Sequence, residues 1–444
     1  MIEPIAASRR RFLGATGAAF AALAASGCVS RGISGTDLAR SYGPLQADPG
    51  GLIDLPARFS YRILSRLGDR MDDGATVPDK ADGMGCLQLR DGRMVLVRNH
   101  ELRAGDDSGG FTGAGYDTTA AGRSLPGGTT TLVLNPATLA VERQFRSLAG
   151  TIRNCAGGVT PWGSWLTCEE DVTRAGTRGA TRDHGWVFEV PAAASGLVEP
   201  RPLTALGRFN HEAAAVDPAS GIVYLTEDRE DSLLYRFLPS RPGQLGAGGR
   251  LQALALALRD TSVRDSRNWT APNMAPSAWM EVRWIDLDGV ESPDEDLRKR
   301  GHAAGALLFA RGEGLSMGQG EFYFACTSGG AKKLGQIFRL RLGSRGDRLQ
   351  LFFESSDPAQ LHYGDNLTVA PDGQLIVCED QSGNTVDNHL RVIGPGGVSY
   401  PLARLRLQTE LAGACFSPDG RTLFVNVFAP THTLAISGPW QHAS

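Results

Sequence analysis

The chain has 444 residues, 41% of them hydrophobic and 21% charged, with a net charge of -3, 56 glycines and 24 prolines. A chain of this size and mix folds around a large core, and without a basic field it has no means of gripping a phosphodiester backbone, so nucleic acid is not an expected partner. Beyond its first residues no apolar run reaches the roughly 20 residues of a spanning helix, so no transmembrane segment is expected in the mature chain.

The N-terminus is a targeting segment. "SRRRFLGATGAAFAALAASGC" carries a twin-arginine pattern over Ser8, Arg9, Arg10, Arg11, Phe12 and Leu13, followed by a mildly apolar Ala/Gly run that ends at Cys28. Residues 1–28 therefore imply the twin-arginine export machinery as a partner and a periplasmic or extracellular location. "AASGC" also resembles a lipoprotein cleavage box with Cys28 as the acylated residue, although Ala25 stands where leucine is usual. Both outcomes, a lipid anchor at Cys28 and none, stay open. The twin-arginine route carries chains that are already folded, commonly with a metal or cofactor loaded, so a free thiolate can survive as a ligand. Residues 29–80 are expected to be an extension leading into a single domain over 81–444, and a monomer is expected.

From there one pattern recurs: a turn rich in Asp, Pro and Gly, an apolar strand, and a polar or acidic end. It occurs at Asp91–Glu101, Pro161–Asp171, Asp217–Asp231, Gly318–Gly330, Pro371–Gly383 and Ser417–Pro430. About six units at this spacing predict an all-β, six-bladed β-propeller with loop insertions. The segments 106–122 and 244–293 read as insertions without a motif. A β-sandwich accommodates so many units poorly.

In a propeller equivalent strands run the same way, so the ends "NHE", "CEED", "TEDRED" and "CEDQSG" converge on one mouth of the central channel. Clustered carboxylates repel and raise one another's pKa unless cations sit between them. Oxygen ligands suit a hard cation such as Ca²⁺, and a thiolate among them points to a transition metal. Cys168, Cys326 and Cys378 end apolar strands and read as small buried core residues. Cys155, between Asn154 and "AGG", lies outside such a run and is the better ligand candidate, with a structural role as the alternative.

"GTIRNCAGGVTPWGSWLTCEED", "GRFNHEAAAVDPASGIVYLTED", "FARGEG", "HYGDNLTVAPDGQLIVCED" and "GACFSPDGRTLFVNVFAP" follow one another in the order of the motifs of PhoX-type bacterial alkaline phosphatases. "VRNHE" and "LAISGPW" fit the same family, and the resemblance runs from about Asp82 to Trp440. It implies a propeller whose channel mouth holds iron (Fe³⁺) and calcium (Ca²⁺), and hydrolysis of small phosphorylated substrates, phosphate monoesters, by metal-activated oxygen attack. Carried over by motif, it makes Cys155 an iron ligand, Glu212 and Glu313 metal ligands, and Arg311 the phosphate-binding arginine. Glu169 and Glu170, with Glu379 and Asp380, become metal ligands of which either member of each pair can point inward. Glu101, Glu227, Asp228, Asp365 and Asn366 are further candidates. His211 and His100 read as phosphate donors or satisfied core histidines. Two other classes fit the residues: a calcium-dependent propeller hydrolase of lactonase or phosphotriesterase type, and a non-enzymatic exported binding propeller.

Overall fold

The computed structural model describes residues 42–257, 262–381, 383 and 385–440; the twin-arginine motif and Cys28 lie outside the described residues. Among the described residues the chain is almost entirely β, with one α-helix, Leu297–Ala303. No helix there is long and apolar enough to cross a membrane.

Six antiparallel blades surround a channel. Their innermost strands are Ala81–Gln88, Asn154–Val159, His211–Val216, Gly312–Gly318, Gly364–Val369 and Leu411–Phe416. Each lies against the next, and the sixth returns to the first. The approach is close enough to exclude side chains in places: a Cβ on Gly158 would come within 1.8 Å of the Ala214 carbonyl oxygen, and one on Gly314 within 2.7 Å of the Asn366 Cα.

The second strand of each blade is the apolar run of the recurring sequence pattern: Met94–His100, Ser164–Glu169, Val223–Glu227, Glu321–Cys326, Leu375–Glu379 and Thr422–Val427. These strands are apolar on both faces because each blade packs against a neighbour on either side. Cys168 lies with Phe209, Phe237 and Leu225, Cys326 with Phe324 and Phe338, and Cys378 with Val392 and Leu423. All six cysteines of the described residues are free thiols.

Two features could not be read from the repeats. Ser60–Arg66, within the segment expected as an extension, pairs with His432–Ser437 and completes the sixth blade, so strands far apart in sequence close the ring. Ile53–Pro56 similarly adds to the fifth blade. Within the insertion 244–293, Trp279–Asp286 pairs with both Gly249–Leu256 and Arg348–Glu354. It welds the third and fourth blades into one nine-stranded sheet, which is why five sheets carry six blades.

Candidate metal centre at the channel mouth

Every inner strand breaks register with its partner just after its first or second residue. A bulge of this kind bends the strand and re-aims a side chain. The second residue of each strand sits in that irregularity or at its edge, and in blade order these are Asp82, Cys155, Glu212, Glu313, Asp365 and Ala412. Five of the six can bind a metal. The bulges are braced by side chains of adjoining blades: Asn99 donates to the Cys155 carbonyl at 2.9 Å, Thr226 to that of Glu313 at 2.6 Å, and Asn426 to that of Asp82 at 2.6 Å.

A second tier sits beside this ring. The residue after the second strand donates its N–H to the carbonyl two positions before the ring residue in all six blades: Glu101 to Lys80, Glu170 to Arg153, Asp228 to Asn210, Thr327 to Arg311, Asp380 to Tyr363 and Phe428 to Glu410. Together with Glu410, the tiers form four overlapping groups: Asp82, Glu101 and Cys155; Cys155, Glu170 and Glu212; Glu212, Glu313 and Asp365; and Asp365, Asp380 and Glu410. Within each group the ligand atoms lie within 4.8 Å of one another.

The electrostatics of this chain of groups call for cations. Both carboxylate oxygens of Glu212 and Oδ1 of Asp82 are buried without a hydrogen-bond partner, and such burial is costly unless a positive charge compensates it. Burial, and after it the neighbouring carboxylates, pushes Asp82, Glu212 and Glu313 well above the usual carboxylate range. Burial and then Asp380 move Asp365 up to about 7. Burial, then Asp82 and Glu212, raises the Cys155 thiol, which donates to Asp82 Oδ2 at 3.4 Å. Eight carboxylates and one thiol suit several hard cations with one thiophilic metal at Cys155.

Two arginines rim the ring. Arg311 places Nε 2.8 Å from Asp228 and a terminal nitrogen 2.8 Å from Glu313. Arg153 lies 2.6 Å from Glu101 and 2.5 Å from Glu170. Both stay partly exposed and keep N–H groups in the planar geometry that matches phosphate oxygens.

Of the residues expected from sequence, the structure brings Cys155, Glu101, Glu170, Glu212, Glu313, Asp365 and Asp380 into the groups, with Arg311 at their edge. Four others are not among those groups and have partners of their own. Glu169 turns into its blade and accepts from His184 at 2.6 Å and from the amides of Ile152, Gly185 and Trp186. Glu379 accepts from Arg391 at 2.8 Å and from the amides of His362 and His389. Glu227 accepts from the Tyr235 hydroxyl at 2.7 Å. Asn366 bridges Asp365 and the Gly413 amide. Asp228 is held by Arg311 and lies outside the four groups.

The histidines are core residues. His211 bonds the Gly207 carbonyl at 2.9 Å and packs on Phe209, and burial pushes it down to about 3. His100 lies between the Asp79 carbonyl and Thr130. Sequence reasoning missed Asp82, Arg153 and Glu410. "ADGMG" has the same form as "NCAGG", a ligand-type residue followed by glycines in an inner strand, and that likeness was the available signal for Asp82. Glu410 precedes its strand and has none.

A family model described as Alkaline phosphatase PhoX matches residues 40–431. No curated protein sequence matches. Among solved structures, Pseudomonas fluorescens PhoX in complex with vanadate, a transition state analogue, superposes with a TM-score of 0.67 at 18% identity, over 89% of this chain and 97% of that one. A gluconolactonase of Xanthomonas campestris overlaps far less well, with a TM-score of 0.42 at 15% identity over 90% and 98% of the two chains.

Proposed function

This chain belongs to the PhoX alkaline phosphatase family, and from that premise we propose that it is an exported phosphomonoesterase whose channel-mouth ring holds iron and calcium. In this reading Cys155 is an iron ligand, with Asp82 and Glu212 beside it. Glu101, Glu170, Glu313, Asp365, Asp380 and Glu410 complete the iron and calcium sites. The sequence of residues 1–28 supports export by the twin-arginine route to the periplasm, and the whole mature chain acts as one domain.

The observation that carries the reading is the Glu212 carboxylate, buried without a partner among the ligand atoms of neighbouring blades. Bound cations supply charge neutralisation to a phosphate monoester and activation of water at ordinary pH. The chain's own part is to hold and orient. Arg311 presents its guanidinium to the phosphoryl oxygens and stabilises the charge that develops as phosphoryl transfer proceeds. Asp228 and Glu313 fix the plane of that guanidinium, and the bulged strands keep the ligand side chains converged before any ligand arrives.

The test is metal analysis of protein purified from a twin-arginine export host, together with hydrolysis of a chromogenic phosphomonoester before and after calcium chelation. Iron with calcium-dependent turnover is the expected result. Calcium without iron, or metals without turnover, would overturn it.

A further inference from the structure

Two cavities flank the ring, and they differ in charge. One, of about 340 Å³, lies beside Lys80, and its other charged walls are Asp79, Asp106 and Asp107. The second, of about 390 Å³, lies beside Arg153 over the second and third blades. It sets four arginines, Arg153, Arg174, Arg178 and Arg229, against Glu170, Asp171 and Glu295. Glu170 belongs to one of the four groups as well, so the cavity shares a wall residue with the candidate metal centre.

The second cavity is built for polar contact. Val172 is its one apolar lining residue, so an aromatic or alkyl group would bury little apolar surface there. Asn210 lines it and is 3% exposed; its amide donates to the Glu170 carbonyl, and its Oδ1 is buried without a partner. The loop bearing Arg174 and Arg178 is fixed rather than free. Asp117 accepts from the amides of Thr181 and Arg182 and from His184, and Arg208 donates to the His184 carbonyl at 2.8 Å.

We infer that this cavity seats the alcohol portion of the substrate, and that it selects phosphate monoesters whose leaving group is small, hydroxylated and carries a second negative charge, such as a carboxylate. The inference rests on the phosphatase reading above. Arg174 and Arg178, 44% and 77% exposed in their side chains, are paired with Asp183 at 3.1 Å and Asp171 at 3.8 Å, and the further N–H groups of each guanidinium supply the selecting charge. Exposure limits the effect, so a preference of about five- to tenfold is expected.

The test compares kcat/KM for 3-phosphoglycerate and glycerol 1-phosphate, which differ in the carboxylate, in the metal-loaded full chain and in its Arg174→Gln/Arg178→Gln variant. Wild type should favour 3-phosphoglycerate, and the preference should fall with added salt. The variant should lose the preference while hydrolysing glycerol 1-phosphate as before. Equal values in wild type, or a preference that survives in the variant, would overturn the subsite and leave the phosphatase reading intact. If wild type hydrolyses neither ester, the phosphatase reading falls, and calorimetric titration with the same two esters decides the subsite: tighter binding of 3-phosphoglycerate that depends on Arg174 and Arg178 supports it, and equal or absent binding overturns it.

Discussion

Arg153 and Arg311 hold the same position in the second and fourth blades: each stands two residues before a ring residue, each is left-handed with φ of 47° and 51°, and each guanidinium spans two carboxylates. A left-handed non-glycine costs on the order of 1 kcal/mol. It is retained here because the turn directs the carbonyl to the next strand end and the side chain to the mouth.

Arg311→Met should therefore lower kcat/KM for a phosphomonoester by about 10²- to 10³-fold, the usual loss for a donor aimed at developing charge. Arg311→Lys should recover little, since a point charge does not reproduce the fork. Steady-state kinetics on protein of wild-type metal content checks this. Near-wild-type turnover in the methionine variant would remove Arg311 from the chemistry.

The two cysteines of "NCAGGVTPWGSWLTC" should behave differently. Cys155→Ala should lose iron and turnover together. Cys168→Ala should retain both and cost about 1–2 kcal/mol of stability, as for a small cavity in a packed blade face. Metal analysis and thermal unfolding of the two variants are the measurements, and equal iron retention would contradict the assignment.

Within "CEED" the two glutamates should separate by the same criteria. Glu170→Gln should weaken metal binding with little loss of fold. Glu169→Gln should cost about 3–5 kcal/mol, because it takes one partner from a buried charged pair with His184, while metals still bind to whatever fraction folds.

Chelated protein should become less stable as pH rises. The folded-state pKa values of Asp82, Glu212 and Glu313 lie well above the ordinary range and that of Asp365 is about 7. Groups raised in this way favour the fold while protonated, so their contribution is full below about pH 4 and is lost as pH climbs toward and past 7. Glu212→Gln should raise the melting temperature of the chelated protein at pH 7 and lower that of the metal-loaded one. A melting temperature that does not change between pH 5 and 8 after chelation would contradict this.

His184 gives a separate alkaline signature. Burial opposes its charge, yet Glu169 and Asp117 raise it to about 9. Its stabilisation is complete below the unfolded value near 6.5 and fades as pH rises through about 9. Metal-loaded wild type should lose stability between these limits, and His184→Gln should flatten that part of the profile.

The six blades were legible in the sequence because a strand buried on both faces must be an apolar run, and a turn must precede it; each of the six runs became the second strand of one blade. Cys155, Glu212, Glu313 and Arg311 were legible through their motifs. The weld at Trp279–Asp286 and the closure by Ser60–Arg66 were not, because strand pairing between distant segments leaves no local pattern. Nor was the inward member of each acid pair. Adjacent residues at a strand end point to opposite sides, and both are acids in "CEED" and "TEDR", so composition is silent on the choice. The last strand residue still obeys the blade's alternation and turns inside, as Glu169, Glu227 and Glu379 do. The next residue has left the strand, its amide tied to the carbonyl before the neighbouring inner strand, and from that place Glu170 and Asp380 join the groups while Asp228 pairs with Arg311. The tertiary pairing of first and second strands, with a bulge in every blade, is what assembles the candidate metal centre.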